Sequence, residues 1–126
     1  MRILIAEDDE LMLTLVAFRL KKDGHEVILT RDGREALSKL EEIIPDLIIT
    51  DIMMPFVTGL EIIGAVKKKY ANAIPVIILS GMGQESVVLE AFQLGADDYI
   101  TKPFRPNELS VRVKRFDKTI VTVNGN

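Results

Sequence analysis

Glu7, Asp8 and Asp51, together with Ser80 and Lys102, are the side chains of this sequence whose types and placement could do chemistry together. Each follows directly on a short apolar run or strand-like segment. Arg2 to Ala6 runs into Glu7-Asp8-Asp9-Glu10, Leu47-Ile48-Ile49 into Thr50-Asp51, Pro75 to Leu79 into Ser80, and Asp98 to Thr101 into Lys102. Three carboxylates sharing one crevice repel one another, which raises the pKa of at least one of them unless a cation is present. A hard divalent ion resolves the repulsion. Mg²⁺ suits best, because it takes one or two carboxylates, keeps several waters and leaves room for phosphate oxygens. Lys102 adds a second positive charge and Ser80 a hydroxyl donor. A cation, an ammonium and a hydroxyl converging on a carboxylate are what an incoming phosphoryl group needs, since its transition state spreads charge over the peripheral oxygens. Asp51 is then the nucleophile, and its product is an acyl phosphate.

These side chains meet only if the strands that carry them point the same way. The run before Asp51 has no helical period and is bounded by Pro45 and Pro55, so it reads as a strand buried on both faces. After Glu10, the pattern predicts a helix with Leu11, Leu15 and Phe18 on one stripe and Met12 and Val16 beside it, stopped by Gly24. Val27 to Leu29 is a second strand opened by a solvent-exposed His25. Asp32-Gly33 turns into a helix carrying Ala36, Leu37, Leu40 and Ile44, which Pro45 ends. Thr58 caps a third helix with Ile62, Ile63 and Val66 on one side and Lys67, Lys68 and Lys69 facing water. A fourth helix, Gln84 to Leu94, has Val87, Ala91 and Leu94 as its stripe, leaves Leu89 exposed and closes at Gly95. The last, Pro106 to Phe116, turns Leu109, Val113 and Phe116 inward.

Strand and helix alternate five times with short connections, and the strands are apolar throughout. This predicts an α/β fold: a doubly wound, five-stranded parallel sheet with five helices covering both faces. The carboxyl ends of such strands share one edge, where open sheets of this kind bind ligands.

The totals restrict the alternatives. With 126 residues and 48% hydrophobic composition there is material for one core. No run approaches the ~20 apolar residues of a membrane span, and no cleavable leader is recognisable. The absence of Cys excludes disulfides and thiolate metal sites and fits the cytoplasm, and the single His25 argues against a histidine-based metal centre. A net charge of -3 gives no general attraction to nucleic acid. A nucleotide fold would place glycines after the first strand, where this chain has four acids.

Ala6-Glu7-Asp8-Asp9, Asp51-Ile-Met-Met-Pro55 with Gly59, Ser80-Gly81, and the run from Gly95 to Phe104 (Gly-Ala-Asp-Asp-Tyr-Ile-Thr-Lys-Pro-Phe) resemble the receiver domain of bacterial two-component response regulators. The resemblance covers about residues 2 to 116. It implies the flavodoxin-like three-layer sandwich with strand order 2-1-3-4-5, a receiver over residues 1–118, and 119–126 as a tail or the start of a linker to an effector region. It further implies that Asp51 is the phosphoacceptor, and that Asp8, Asp51 and the backbone carbonyl of Met53 bind Mg²⁺ while Glu7 acts through water. Lys102 would pair with the phosphoryl oxygens across a cis Lys102-Pro103 connection. Ser80 would hydrogen-bond one of those oxygens, Tyr99 would turn inward as Ser80 moves, and Gly81 would leave space for the donor. The family more often has Thr where Ser80 stands.

The resulting expectation is a phosphorylation-dependent signalling switch and not a metabolic enzyme, although it assists its own phosphorylation and dephosphorylation. A sensor histidine kinase or phosphotransfer protein supplies the phosphoryl group. The helix from Gln84, the Tyr99 strand and the last helix form the face offered to an output partner or domain. Arg112, Lys114 and Arg115 on that last helix either pair across a homodimer with Glu90, Asp97 and Asp98 or form a solvated face. Two alternatives stand beside this reading: a phosphorylation-independent interaction module of the same fold, and a Mg²⁺-dependent small-molecule phosphohydrolase.

Overall fold

The computed structural model describes residues 1–118. Five strands, β1 (Arg2–Ala6), β2 (Glu26–Thr30), β3 (Leu47–Asp51), β4 (Val76–Ser80) and β5 (Asp98–Thr101), alternate with α1 (Glu10–Lys22), α2 (Gly33–Glu42), α3 (Gly59–Tyr70), α4 (Glu85–Leu94) and α5 (Pro106–Lys114). All strands are parallel, in the order β2-β1-β3-β4-β5. The expected doubly wound sheet is thus observed. The interior strands are buried on both sides because their alternating side chains enter two separate cores. Leu4, Ile48, Ile78 and Val76 pack with α2, α3 and α4, whereas Ile3, Ile5, Ile49 and Leu79 pack with α1 and α5. Each fully buried Ile or Leu contributes about 2 kcal/mol by removal from water.

The starts of α1, α2 and α3 follow local capping chemistry. Asp9 accepts from the amides of Leu11 and Met12, Asp32 from Glu35 and Thr58 from Glu61, satisfying donors that the first helical turn leaves free. Gly95 closes α4 in the left-handed region at φ 114.

Several details differ from the sequence expectation. On α1 the buried stripe is Leu13, Val16, Ala17 and Leu20, while Leu11 and Phe18 are each 69% exposed and Leu15 54%. The helix is apolar nearly all round, so periodicity alone supports two stripes; contact with α5 and the sheet selects the other one. On α4 Val88 and Ala91 are buried and Val87 packs partly buried against the same core, with Leu94 exposed, and Leu89 is exposed as expected. Helix α2 stops at Glu42, before Ile44, which is exposed, and α5 stops at Lys114, leaving Phe116 half-buried beyond it.

Lys67 does not face water. Its ammonium donates to the Ile74 carbonyl and pairs with Asp97, tying α3 to the start of β4 and the turn into β5. His25 is half-buried against the Met1 amine, 3.1 Å from its Nδ1.

Arg112 and Arg115 on the last helix are not a purely solvated face. Asp98 accepts from Arg112 at 2.8 Å and from Arg115 at 3.1 Å within the chain. The expected tail over residues 119–126 lies outside the described residues.

Candidate functional site

The site is built where β1, β3, β4 and β5 end. The β1 and β3 registers place Ala6 beside Thr50, so the next residues, Glu7 and Asp51, emerge together at one edge. Gly59 fixes the level of that edge. Its amide donates to the Ile52 carbonyl at 3.0 Å, and a Cβ there would lie 2.5 Å from the Asp51 carbonyl oxygen. Only glycine lets the start of α3 come this close to the Asp51 backbone.

Glu7, Asp8 and Asp51 each offer a carboxylate oxygen, and these atoms lie within 4.8 Å of one another. Glu7 has no solvent exposure, Asp51 is 8% exposed and Asp8 is exposed. Lys102, after β5, places Nζ 2.6 Å from Glu7 Oε1 and 3.2 Å from Asp51 Oδ2. The Lys102-Pro103 peptide is cis.

Burial is the main reason the Glu7 carboxyl titrates high, at about 7; the neighbouring Asp51 carboxyl adds to this, and Lys102 opposes it. Burial pulls the Lys102 ammonium down, but the hydrogen bond to Glu7 and the field of Asp51 outweigh it, so its pKa is raised. Lys102 is therefore held charged beside acids.

The cluster passes a physical test for a hard cation. Its donors are all oxygen, which matches Mg²⁺ and excludes the softer thiolate-binding ions. Glu7 Oε2 is buried and lacks a hydrogen-bond partner among the described residues. A buried carboxylate oxygen without a partner is costly, and a cation or its coordinated water would satisfy it.

The remaining predicted residues stand around this cluster. Ser80 is buried at the end of β4, opposite Thr101, and its carbonyl accepts from the Lys102 amide at 2.7 Å. Met53 is 48% exposed in the loop after Asp51. Tyr99 lies outside the acidic cluster. It is 40% exposed, with its ring edge-on to Phe92 at 5.8 Å. Ser80 and Tyr99 both line a cavity of about 430 Å³ that α4 walls with Val88, Leu89 and Phe92.

Three features of the rim were not read from the sequence. The first is the exposed Leu11, Leu15 and Phe18 stripe on α1, which follows the acids of β1 directly. Its spacing was visible; its direction was not. The second is Phe56, which adopts φ 70 and lies under the Arg34 guanidinium at 3.5 Å. A left-handed aromatic residue has no sequence signature. The third is Gln84, whose Oε1 accepts from the Gly81 amide at 2.5 Å.

Comparison with known proteins gives consistent results. The model of the response regulator receiver domain matches residues 3–114. The alkaline phosphatase synthesis transcriptional regulatory protein PhoP of Bacillus subtilis is 39% identical over 113 residues, covering 90% of this chain and 47% of that protein. The chain therefore spans about half the length of this relative. Among solved structures, the receiver domain of the Francisella response regulator 1452 aligns with TM-score 0.84 at 33% identity, over 94% of this chain and 97% of that one. The receiver domain of NtrX from Brucella abortus aligns with TM-score 0.86 at 31% identity, over 94% and 99%.

Proposed function

This chain belongs to the response regulator receiver domain family of two-component signalling, and from that premise we propose that it is a switch that accepts a phosphoryl group on Asp51. The observation that carries the reading is the Asp51 carboxylate at the end of β3, 3.2 Å from the Lys102 ammonium and grouped with Glu7 and Asp8.

The residues divide the work as follows. An Asp51 oxygen forms the new P–O bond as the P–N bond to a donor imidazole breaks, the electron pair leaving with the nitrogen. Lys102 neutralises charge on the peripheral phosphoryl oxygens, and Ser80 donates a hydrogen bond to one of them. Asp8, Asp51 and the Met53 carbonyl would hold Mg²⁺, with Glu7 acting through water; the ion supplies charge neutralisation for the transferring group. Removing Ser80 from its resting position opens the way for Tyr99 to enter the shared cavity, which changes the surface formed by α4, β5 and α5. Residues 1–118 form this receiver, and it works in the cytoplasm.

The donor in this reading is a sensor histidine kinase or phosphotransfer protein. The exposed Leu11, Leu15 and Phe18 stripe beside the site supports a protein donor, since a small molecule needs no such surface. The Bacillus relative is named as a transcriptional regulatory protein and is about twice as long as the match, which supports an output region working alongside such a receiver. Self-phosphorylation and self-dephosphorylation are the only chemistry assigned. No helix among the described residues is long and apolar enough to cross a membrane.

The chemical nature of the product tests the reading. A phosphoryl group on Asp51 is an acyl phosphate and should be released by neutral hydroxylamine. A label that resists hydroxylamine, as a serine ester would, moves the acceptor to a hydroxyl and contradicts the proposal.

A further inference from the structure

Gln84 occupies the N-cap position of α4, yet its side chain makes no capping bond to that helix. An N-cap side chain ordinarily accepts from the second or third helical amide. Here Oε1 turns backward and accepts from the Gly81 amide at 2.5 Å. The segment Ser80–Gln84 is thereby closed into a turn, with Gly83 at φ 83 completing it. The Ser80 end is anchored, its carbonyl accepting from the Lys102 amide at 2.7 Å, whereas Met82, in the middle of the turn, is 84% exposed, and Ser80, Gly81 and Gln84 all border the 430 Å³ cavity.

We propose that Gln84 is a positioning residue for the phosphoryl switch, a clamp that holds the peptide after Ser80 in its resting place. The inference rests on the reading of Asp51 as phosphoacceptor and of Ser80 as the hydroxyl that follows it. In the switch proposed here the Ser80 main chain moves together with its hydroxyl, and the planar Ser80-Gly81 peptide then moves as one unit. The amide of that peptide is the group Gln84 holds. The clamp therefore stabilises the resting state over the phosphorylated one by about one hydrogen bond, and its loss shifts the population toward the bound conformation. The shift corresponds to roughly threefold to tenfold in affinity for a phosphoryl mimic.

The test titrates the whole chain with beryllofluoride at saturating Mg²⁺, followed by amide NMR. It compares wild type, Gln84→Ala, Gln84→Met, which keeps length without the acceptor, and Gln84→Glu, which restores an acceptor. Ala and Met should tighten binding roughly threefold to tenfold and speed hydrogen exchange at the Gly81 amide, whereas Glu should keep that exchange slow. Unchanged or weaker binding in both Ala and Met overturns the clamp. If wild type binds no beryllofluoride, the phosphoacceptor reading falls and the switch role of Gln84 falls with it; Gly81 exchange separates the two failures, since a rise in Gln84→Met shows that Gln84 holds the amide and no rise overturns the hold as well.

Discussion

Lys102 places its ammonium 2.6 Å from Glu7, a carboxylic acid with no solvent exposure, while standing 3.2 Å from Asp51. One cation therefore serves two acids, and a third, Asp8, lies within reach of the same centre. The charge balance is incomplete, and the buried Glu7 Oε2, without a hydrogen-bond partner among the described residues, is its structural mark.

Glu7 titrates at about 7, well above its ordinary 4.5, chiefly because of burial. A carboxyl whose folded pKa is raised contributes stability that is complete below the unfolded value and is lost as pH rises through the folded one. The metal-free protein should therefore lose about 1–3 kcal/mol from this group between about pH 5 and pH 8, and Glu7→Gln should remove that slope. Urea midpoints at the two pH values check it. A Gln variant with the same slope as wild type would assign the effect elsewhere.

Added Mg²⁺ should raise the melting temperature by linkage, by the equivalent of about 2.7 kcal/mol at a hundred times its dissociation constant. Asp51→Asn should reduce the rise. Because the carboxylates must be ionised to bind the ion, the rise should grow between about pH 6 and pH 8. A melting curve indifferent to millimolar Mg²⁺ counts against the metal assignment.

The direction of α1 is directly measurable. Leu13→Ala should cost about 2–4 kcal/mol through cavity formation, whereas Leu15→Ala should change stability by no more than about 0.5 kcal/mol. The combined Leu15→Ala and Phe18→Ala variant should accept phosphate normally from acetyl phosphate but slowly from a phosphorylated kinase. Equal impairment with both donors would remove the docking role of this stripe.

Much of this site was legible because each of its residues terminates an apolar run, and parallel strands bring such ends to one edge. Glu7, Asp51 and Lys102 meet for that reason. What stayed hidden depended on rotation or on partners distant in sequence. Leu11, Leu13 and Leu15 are chemically alike, so the inward face of α1 was decided by packing against α5. The place of Lys67 in a lysine run predicts solvent, yet Asp97, 30 residues on, captures it. Asp98, reached only through the fold, takes Arg112 and Arg115 within the chain.

That Asp98 pairing has its own consequence. Asp98 is 7% exposed and also accepts from the Tyr99 amide, so Asp98→Ala should cost about 1–3 kcal/mol by loss of a largely buried, charge-assisted network. Arg112→Ala should cost more than Arg115→Ala, because the Arg115 side chain is 60% exposed and the Arg112 side chain 34%. Denaturant unfolding of the three variants gives the order, and a reversed order would contradict the geometry.

The most direct measurement is the intact mass of the protein after treatment with acetyl phosphate and Mg²⁺. Wild type should gain one phosphoryl group, and Asp51→Ala should gain none. A phosphoryl group retained by Asp51→Ala would contradict the assignment of Asp51 as the acceptor.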